Sequence, residues 1–367
     1  MMLIEEDAIV LLRPDPRLPR ADVELIASRL EKSAALTPGF IAPEAGLLSI
    51  KTMLYAEHVD RLPTVLLPDR NVITRMARIA RDGRLASDDF PSRLALELMA
   101  YAQAMNVNIE PGLALLELAQ STSNETANEE LRWFRTADEG GRATAWIDLA
   151  VGRSATLPTM SVKPNENLLL DEPLHRWRCN YAVMLKAASL DLNPALSPVR
   201  RFEELIAWML SDFLVAGPAA IYCAMFLSPD APRAGLMKGL RSPDRSRALA
   251  GVRNAAWDAT YLSELVQRAQ PHQYGRARCI FASADRSLSL LAPLLLFDAD
   301  DRDAFRRHMA AKIEPWWRRD AGRVADVILG GMEAAQNRPA PEAPGVEDYV
   351  GQKIAEGEAA VSRPITN

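Results

Sequence analysis

Two short apolar runs constrain this chain more than any other feature of its sequence. TVLL at 64–67 and CIFA at 279–282 lack polar alternation, and each soon leads to an aspartate and an amphipathic stretch. Apolar runs of this length indicate strands covered on both faces, as in a parallel sheet flanked by helices. Helical periodicity dominates most of the remaining sequence, so the two runs predict an α/β fold with a small sheet.

The aspartates that follow these runs are candidate functional residues. Ligand sites in parallel sheets lie beyond the carboxyl ends of the strands, which is where Asp69 and Asp285 are expected. Each could equally cap the following helix, because aspartate accepts hydrogen bonds from the first backbone amides. A third acid, Asp258, lies on a predicted helix at 253–269, four residues after Asn254 and on the same helical face.

The order of these elements resembles the PIN-domain nucleases. Asp69-Arg70-Asn71 matches the D-x-N that follows the first strand of that family, and Ser283-Ala284-Asp285 matches its T/S-x-D after a later strand. Asp258 matches the acid of the helix between them, and Glu117 in PGLALLELAQ is assigned as the glutamate of an earlier helix. Other candidates for this second acid are Glu110, Glu125, Glu129 and Glu130.

Three positions depart from the usual pattern of that family. Pro68 has no backbone donor, so it fits only the last position of a strand or an unpaired edge. Arg70 stands where a small residue is more usual, and Ser283 replaces the more frequent threonine. Arg70 could neutralise part of the acidic pocket or bind a substrate phosphate, or it could mean that the site has degenerated.

The resemblance implies a Mg²⁺- or Mn²⁺-dependent endonuclease, with RNA as the expected substrate and products that carry 5′-phosphate and 3′-hydroxyl ends. Divalent ions activate water and stabilise the leaving oxygen, and these two ions prefer oxygen ligands. Asn71 is expected to orient a carboxylate or the attacking water through its amide, and the alternative is a turn or capping residue. The implied metal ligands are Asp69, Glu117, Asp258 and Asp285.

Composition and charge agree with an oxygen-ligand site and limit how a nucleic acid could bind. Three cysteines without CxxC spacing and four scattered histidines argue against a zinc site or a disulfide framework. A formal net charge of −5 provides no global field for a polyanion, so binding needs a local basic surface. The densest basic segment begins at 238 and leads into the Asp258 helix, although a solvated helix start is the alternative. The residues predicted to bind substrate are Arg70, Lys238, Arg241 and Arg253.

The predicted organisation is a PIN-like three-layer fold around a short parallel sheet, elaborated by a large, mainly helical insertion. Residues 336–367 are rich in Pro, Glu, Ala and Gly, so we expect a mobile tail. The predicted parts are an N-terminal extension at 1–62, a PIN-like domain at 63–300 interrupted by the insertion at about 121–245, C-terminal helices at 301–335, and the tail.

One apolar segment could suggest a membrane span. Residues 207–227 are nearly long enough to cross a bilayer, but Asp212 and Gly217-Pro218 interrupt them, which favours a buried helix pair. The acidic N-terminus argues against an export signal, so a cytoplasmic protein is expected. The competing interpretation is a catalytically inactive PIN-like scaffold or protein-binding module, and a protein partner or inhibitor and a homo-oligomer are left open.

Overall fold

The computed structural model describes residues 18–139, 142–162, 164, 166–232, 235–269, 277–296, 301–336 and 348–364. Over these residues the chain is mainly helical and contains a small mixed sheet. It divides into two compact units, the first formed by 1–171 with 269–284 and the second by 172–268 with 285–367.

The first unit contains the sheet. Its helices are α1 (Arg20–Lys32), α2 (Ile50–His58), α3 (Arg70–Asp82), α4 (Phe90–Met105), α5 (Gly112–Ser121), α6 (Asn124–Asp138) and α7 (Ala143–Ala150). Its strands are β1 (Leu36–Pro38), β2 (Thr64–Pro68), β3 (Asn108–Ile109) and β4 (Arg278–Ala282). Both apolar runs of the sequence analysis therefore form strands, as predicted.

The strand order is β1-β4-β2-β3. β2 pairs in parallel with β3 on one side and with β4 on the other, where Leu66 lies opposite Ile280. β1 pairs antiparallel with β4, so the expected parallel sheet is mixed at this edge. All residues of β4 are buried, which requires cover on both faces and agrees with an α/β fold.

Local signals explain the junction between β2 and α3. Pro68 is the last residue of β2, the position where a missing donor is tolerated. Asp69 has an extended backbone and caps α3, whose apolar face buries Ile73 and Met76 in the core. The helix ends at Gly83, which adopts a left-handed conformation with φ of 65° that glycine accommodates without strain.

Among its described residues, the second unit contains helices and connecting turns but no strand. Its helices are α8 (His175–Asp191), α9 (Pro198–Ser211), α10 (Gly217–Phe226), α11 (Arg245–Ala269, with Ala269 counted in the first unit), α12 (Arg286–Leu291), α13 (Arg302–Trp317), α14 (Ala321–Gln336) and α15 (Tyr349–Val361). The rings of Phe202 and Trp317 lie 6.1 Å apart in its core. The indole of Trp317 donates to the carbonyl of Ala224 at 2.8 Å, so this large side chain is buried with its polar group satisfied.

The apolar segment at 207–227 forms two helices, as its sequence predicts. α9 ends at Ser211, next to the interrupting Asp212, and α10 begins at Gly217 with Pro218 in its first turn. Among the helices that the structure describes, none combines the length and apolarity needed to span a bilayer.

The units follow boundaries that differ from the predicted ones. Residues assigned to an N-terminal extension provide β1, α1 and α2 to the same unit as the sheet, because β1 pairs with β4. The predicted insertion at about 121–245 is divided, with α6 and α7 in the first unit and α8 to α10 in the second. Composition alone does not show these boundaries, because they depend on which elements pack together.

The expectation of a mobile tail is wrong for residues 349–361, which form α15 and pack on α8. Gly357 allows this close approach, since a Cβ there would lie 2.6 Å from the Cβ of Leu185. Arg245 donates to the carbonyl of Val361 at 2.9 Å through Nε and at 2.6 Å through Nη2. These contacts compensate for the few large apolar residues in α15.

Candidate functional site

Asp69 lies at the carboxyl end of β2 and is 3% exposed. Its Oδ1 accepts a hydrogen bond from the Val72 amide at 2.9 Å, and its Oδ2 accepts one from the Ser283 hydroxyl at 2.5 Å. Its own amide donates to the Ala282 carbonyl at 2.9 Å. The carboxylate is therefore the N-cap that the sequence allowed, and it is also joined to the chain segment that follows β4.

Ser283 belongs to the last motif of the resemblance and is fully buried. Its amide donates to the Ala35 carbonyl at 3.0 Å, which holds the residue at the edge of the sheet next to β1. Because β2 and β4 are parallel neighbours, their carboxyl ends meet at one edge and bring Ser283 to Asp69. Two motifs that are 214 residues apart are thus in direct contact.

Glu117 lies on α5, which packs on α3, and it is 6% exposed. Arg70, the residue after Asp69, places Nη1 3.3 Å from Glu117 Oε1 and donates from the same nitrogen to the Ser121 hydroxyl at 3.0 Å. Arg70 therefore links Glu117, the predicted second acid, to the carboxyl end of β2. Arg70, predicted to contact substrate, is engaged by groups of the protein.

Two of the other four candidates for the second acid have hydrogen-bond partners of their own. Glu110 accepts from the Gly112 amide at 3.1 Å. Glu130 accepts from the Thr74 hydroxyl at 2.7 Å, and burial raises the pKa of its carboxyl. Glu125 and Glu129 are exposed on α6. Glu117 is the candidate for which the structure gives an ion pair with the residue after Asp69.

Asn71 is exposed, and its backbone carbonyl accepts a hydrogen bond from Arg75 at 3.0 Å. This contact involves the main chain of Asn71 rather than its amide side chain. Asn254, the residue that shares a helical face with Asp258, is exposed on α11.

Asp258 and Asp285 belong to the second unit, where both raise the pKa of Tyr222. The Tyr222 hydroxyl donates to Asp258 Oδ2 at 3.5 Å. Asp285 caps α12, accepting from the Ser287 amide at 2.7 Å and the Leu288 amide at 3.4 Å. Burial raises the pKa of Tyr222 well above its ordinary value, and the nearby charges of Asp258, Cys223 and Asp285 raise it further.

The predicted metal ligands thus occur as two sets, Asp69 and Glu117 in the first unit and Asp258 and Asp285 in the second. Within the described part of the chain, no three His, Cys, Asp or Glu side chains come together as a metal-binding group. In the first unit, the donors to Asp69 include an amide and a hydroxyl, and a guanidinium lies beside Glu117.

Three of the four basic residues predicted to bind substrate, Lys238, Arg241 and Arg253, lie in the second unit. Arg241 donates to Asp191 at 2.7 Å, and Arg253 donates to Glu358 of α15 at 2.8 Å. Lys238 is exposed. Both arginines have acidic partners inside this unit, and both side chains are more than half exposed, as the alternative of a solvated segment predicts.

Sequence reasoning missed several partners of these residues. The hydroxyls of Tyr222 and Ser121 and the carboxylate of Glu358 each contact a predicted site residue from another helix. No motif marks them, because each becomes a partner only through the packing of helices.

No family model, curated protein or solved structure matches this chain.

Proposed function

We propose that this chain is a metal-dependent endonuclease with a PIN-like core, and that it cleaves RNA. The observation that carries the proposal is the 2.5 Å hydrogen bond from Ser283 to Asp69 at the carboxyl edge of two parallel strands. It joins the first and last motifs of the resemblance at the edge of the sheet where ligand sites are expected.

The donor set of the first unit fits a hard divalent cation in its chemistry. Asp69 and Glu117 are buried carboxylates, and Mg²⁺ is often held by one or two carboxylates while it keeps several waters. When bound, the ion would supply an activated water and stabilise the leaving oxygen. Glu117 would have to exchange the Arg70 guanidinium for the ion, so Arg70 opposes binding in this arrangement.

Neighbouring residues of the chain orient the Asp69 carboxylate. The Val72 amide and the Ser283 hydroxyl hold both oxygens of Asp69 in one orientation, and the N-terminus of α3 favours its negative charge. Donors of this kind orient metal-ligating carboxylates in protein sites. Arg70, once separated from Glu117, could contact a phosphate with two parallel hydrogen bonds.

The test is Mn²⁺-dependent cleavage of a labelled single-stranded RNA by the Asp69→Asn variant. We expect Asp69→Asn to abolish cleavage while the circular dichroism spectrum is kept. The matched control is Asp89→Asn, because Asp89 caps α4 with an equal 2.9 Å bond to the Ser92 amide but is exposed. Full activity of Asp69→Asn would refute the proposal.

Asp258 is assigned to the same chemistry by resemblance alone, and it is tested separately. The Asp258→Asn variant is expected to lose RNA cleavage, whereas Asp244→Asn, just before α11, should keep it. Cleavage by Asp258→Asn at the wild-type rate would remove Asp258 from the proposal without affecting Asp69.

A second candidate function, an inactive PIN-like scaffold, is favoured by the ion pair of Arg70 with Glu117. In that case the guanidinium permanently takes the place of a cation. Calorimetry with Mn²⁺ separates the two functions. Binding by the wild-type protein that Asp69→Asn removes supports the nuclease. Binding that appears only in Arg70→Ala, and not in the control Arg75→Ala, supports the scaffold.

A further inference from the structure

A cavity of about 510 Å³ lies in the first unit at the amino-terminal end of the β2–β4 pair. This is the end opposite to Asp69, because Arg278 at the start of β4 lies opposite Thr64 whereas Ala282 lies opposite Pro68. Its volume is typical of small-molecule sites. Its lining is mainly apolar and consists of Phe40, Ile41, Pro43, Lys51, Thr52, Tyr55, Ala56, Asp60, Leu62 and Arg278.

Arg278 is the unusual residue of this cavity. It is 7% exposed, and neither of its terminal nitrogens has a hydrogen-bond partner among the residues that the structure describes. A buried guanidinium without a partner is strongly unfavourable, and such groups in native proteins are normally paired. Hydrogen bonds within the described residues therefore do not compensate for burying the two ends of this guanidinium.

The backbone holds Arg278 in this position. Its amide donates to the Pro63 carbonyl at 2.8 Å, and the residue continues the β4 ladder against β2. The Phe40 ring lies over the guanidinium with 4.3 Å between its centroid and Cζ. Burial lowers the pKa of Arg278 below its ordinary value, which agrees with a cation that lacks adequate solvation.

The charges that line the cavity indicate the charge of its ligand. Arg278 and Lys51 contribute two positive charges, and Asp60 contributes one negative charge, which leaves one positive charge. Lys51 and Asp60 are exposed, whereas Arg278 is buried beneath the apolar lining. One negative charge on a ligand would neutralise the net positive charge of the cavity. A second negative charge would be repelled by the Asp60 carboxylate.

We propose that this cavity binds a small organic monocarboxylate, with the carboxylate on Arg278 and an apolar body against Phe40, Tyr55 and Leu62. A guanidinium binds a carboxylate in its own plane through two parallel N–H bonds, so stacking by Phe40 on its face is compatible with this contact. The terminal nitrogens are shielded from solvent, and the ligand reaches them by displacing Ile41 and Pro43 of the segment at 39–43 while Phe40 stays over the guanidinium. Ile41 in that segment is 90% exposed and opposes little movement.

The probe is phenylacetate, and its neutral counterpart is phenylacetamide. We expect phenylacetate to raise the Tm of the full-length protein and to give a saturable calorimetric signal, because a ligand that binds only the folded state stabilises it. Phenylacetamide should have neither effect. Phenyl phosphate, which carries a dianionic head group, should bind more weakly than phenylacetate.

Arg278→Met tests the anchor. Without ligand it should raise the Tm, because it removes an uncompensated buried charge and keeps a side chain of similar length. Its affinity for phenylacetate should fall at least about tenfold, as expected when a charge-assisted pair is lost. Arg278→Lys keeps the charge without the planar fork and should bind with intermediate affinity. The exposed Arg84→Met is the matched control and should behave as wild type.

Lys51→Met should weaken phenylacetate binding by a smaller factor, and Lys32→Met, on α1 and outside the cavity, should not. The proposal is overturned if Arg278→Met keeps wild-type affinity for phenylacetate or lowers the Tm of the ligand-free protein. It is also overturned if phenylacetamide binds as well as phenylacetate, or if phenyl phosphate binds more tightly. These measurements involve no RNA and no metal, so they do not depend on the proposed nuclease activity.

Discussion

Each end of the β2–β4 pair buries a charged side chain, and the two ends differ in whether that charge has hydrogen-bond partners. At the carboxyl end, the buried Asp69 accepts hydrogen bonds from Val72 and Ser283. At the amino end, the buried Arg278 has terminal nitrogens without a partner in the described residues. The surroundings of Asp69 explain why it can be charged in the folded protein, whereas those of Arg278 do not. A satisfied buried charge can be structural, and an unsatisfied one indicates a missing ligand.

The largest expected effect is that of Asp69→Ala. Loss of the α3 cap together with loss of the buried hydrogen bond from Ser283 should reduce the free energy of unfolding by about 3 kcal/mol. Asp89→Ala removes a cap with the same geometry at an exposed position and should have a smaller effect, measured by urea denaturation. Equal losses in the two variants would show that the Ser283 bond contributes nothing.

Ser283→Ala tests the same bond from its donor. Asp69 keeps its bond to Val72 but loses the shorter one, so unfolding should become easier by about 2 kcal/mol, as for a bond to a charged group. The exposed Ser161→Ala, in the same unit, should leave the urea midpoint nearly unchanged. If Ser283→Ala left the free energy of unfolding unchanged, the hydrogen bond from Ser283 would not stabilise the buried Asp69 carboxylate.

Asp138 is the last residue of α6, and its partial burial disfavours the charged form of its carboxyl group. Burial raises its pKa from an ordinary value of 3.8 to about 6. Since the folded pKa is the higher one, the folded state holds this proton more tightly. Its contribution to stability is therefore present below about pH 4 and is lost as the pH rises through 6.

Asp138→Asn should remove this penalty. We expect an increase of about 1 to 2 kcal/mol in the free energy of unfolding at pH 7.5, discounted for the part of the carboxyl that water screens, and little change at pH 4. Urea denaturation at the two pH values measures it. Glu125→Gln, exposed on the same helix, should stabilise at neither pH. A gain that is equal at both pH values would contradict the assignment.

The smallest expected effect extends the comparison to the second unit. Glu358 of α15 accepts from the Tyr181 hydroxyl at 2.6 Å and from Arg253 at 2.8 Å, at a partly exposed position. Glu358→Gln should therefore change stability by less than about 1 kcal/mol while increasing hydrogen exchange in α15. Glu356→Gln is the control, because Glu356 pairs only with residues of α15 in the described contacts. Identical exchange in both variants would show that Glu358 does not hold the helix.

Local sequence signals predicted much of the fold but not all of it. The runs at 64–67 and 279–282 and the capping residues Asp69 and Asp285 locate their elements correctly. β1 and β3 have three and two residues and become strands only because β4 and β2 offer them a partner. The helix α15 was missed for a similar reason, since its stability depends on Gly357 and on arginines elsewhere.

For the candidate site, the sequence by itself determined which residues stand at strand ends and helix starts, since capping and apolar patterning act over a few residues. Only the tertiary structure decided that Ser283 bonds to Asp69, that Arg70 pairs with Glu117, and that Arg278 lacks a partner. Such partners come from distant parts of the chain, and strand order and helix packing bring them together. Burial then determines their energetic importance, because an unpaired charge is tolerated in water and strongly unfavourable inside a protein.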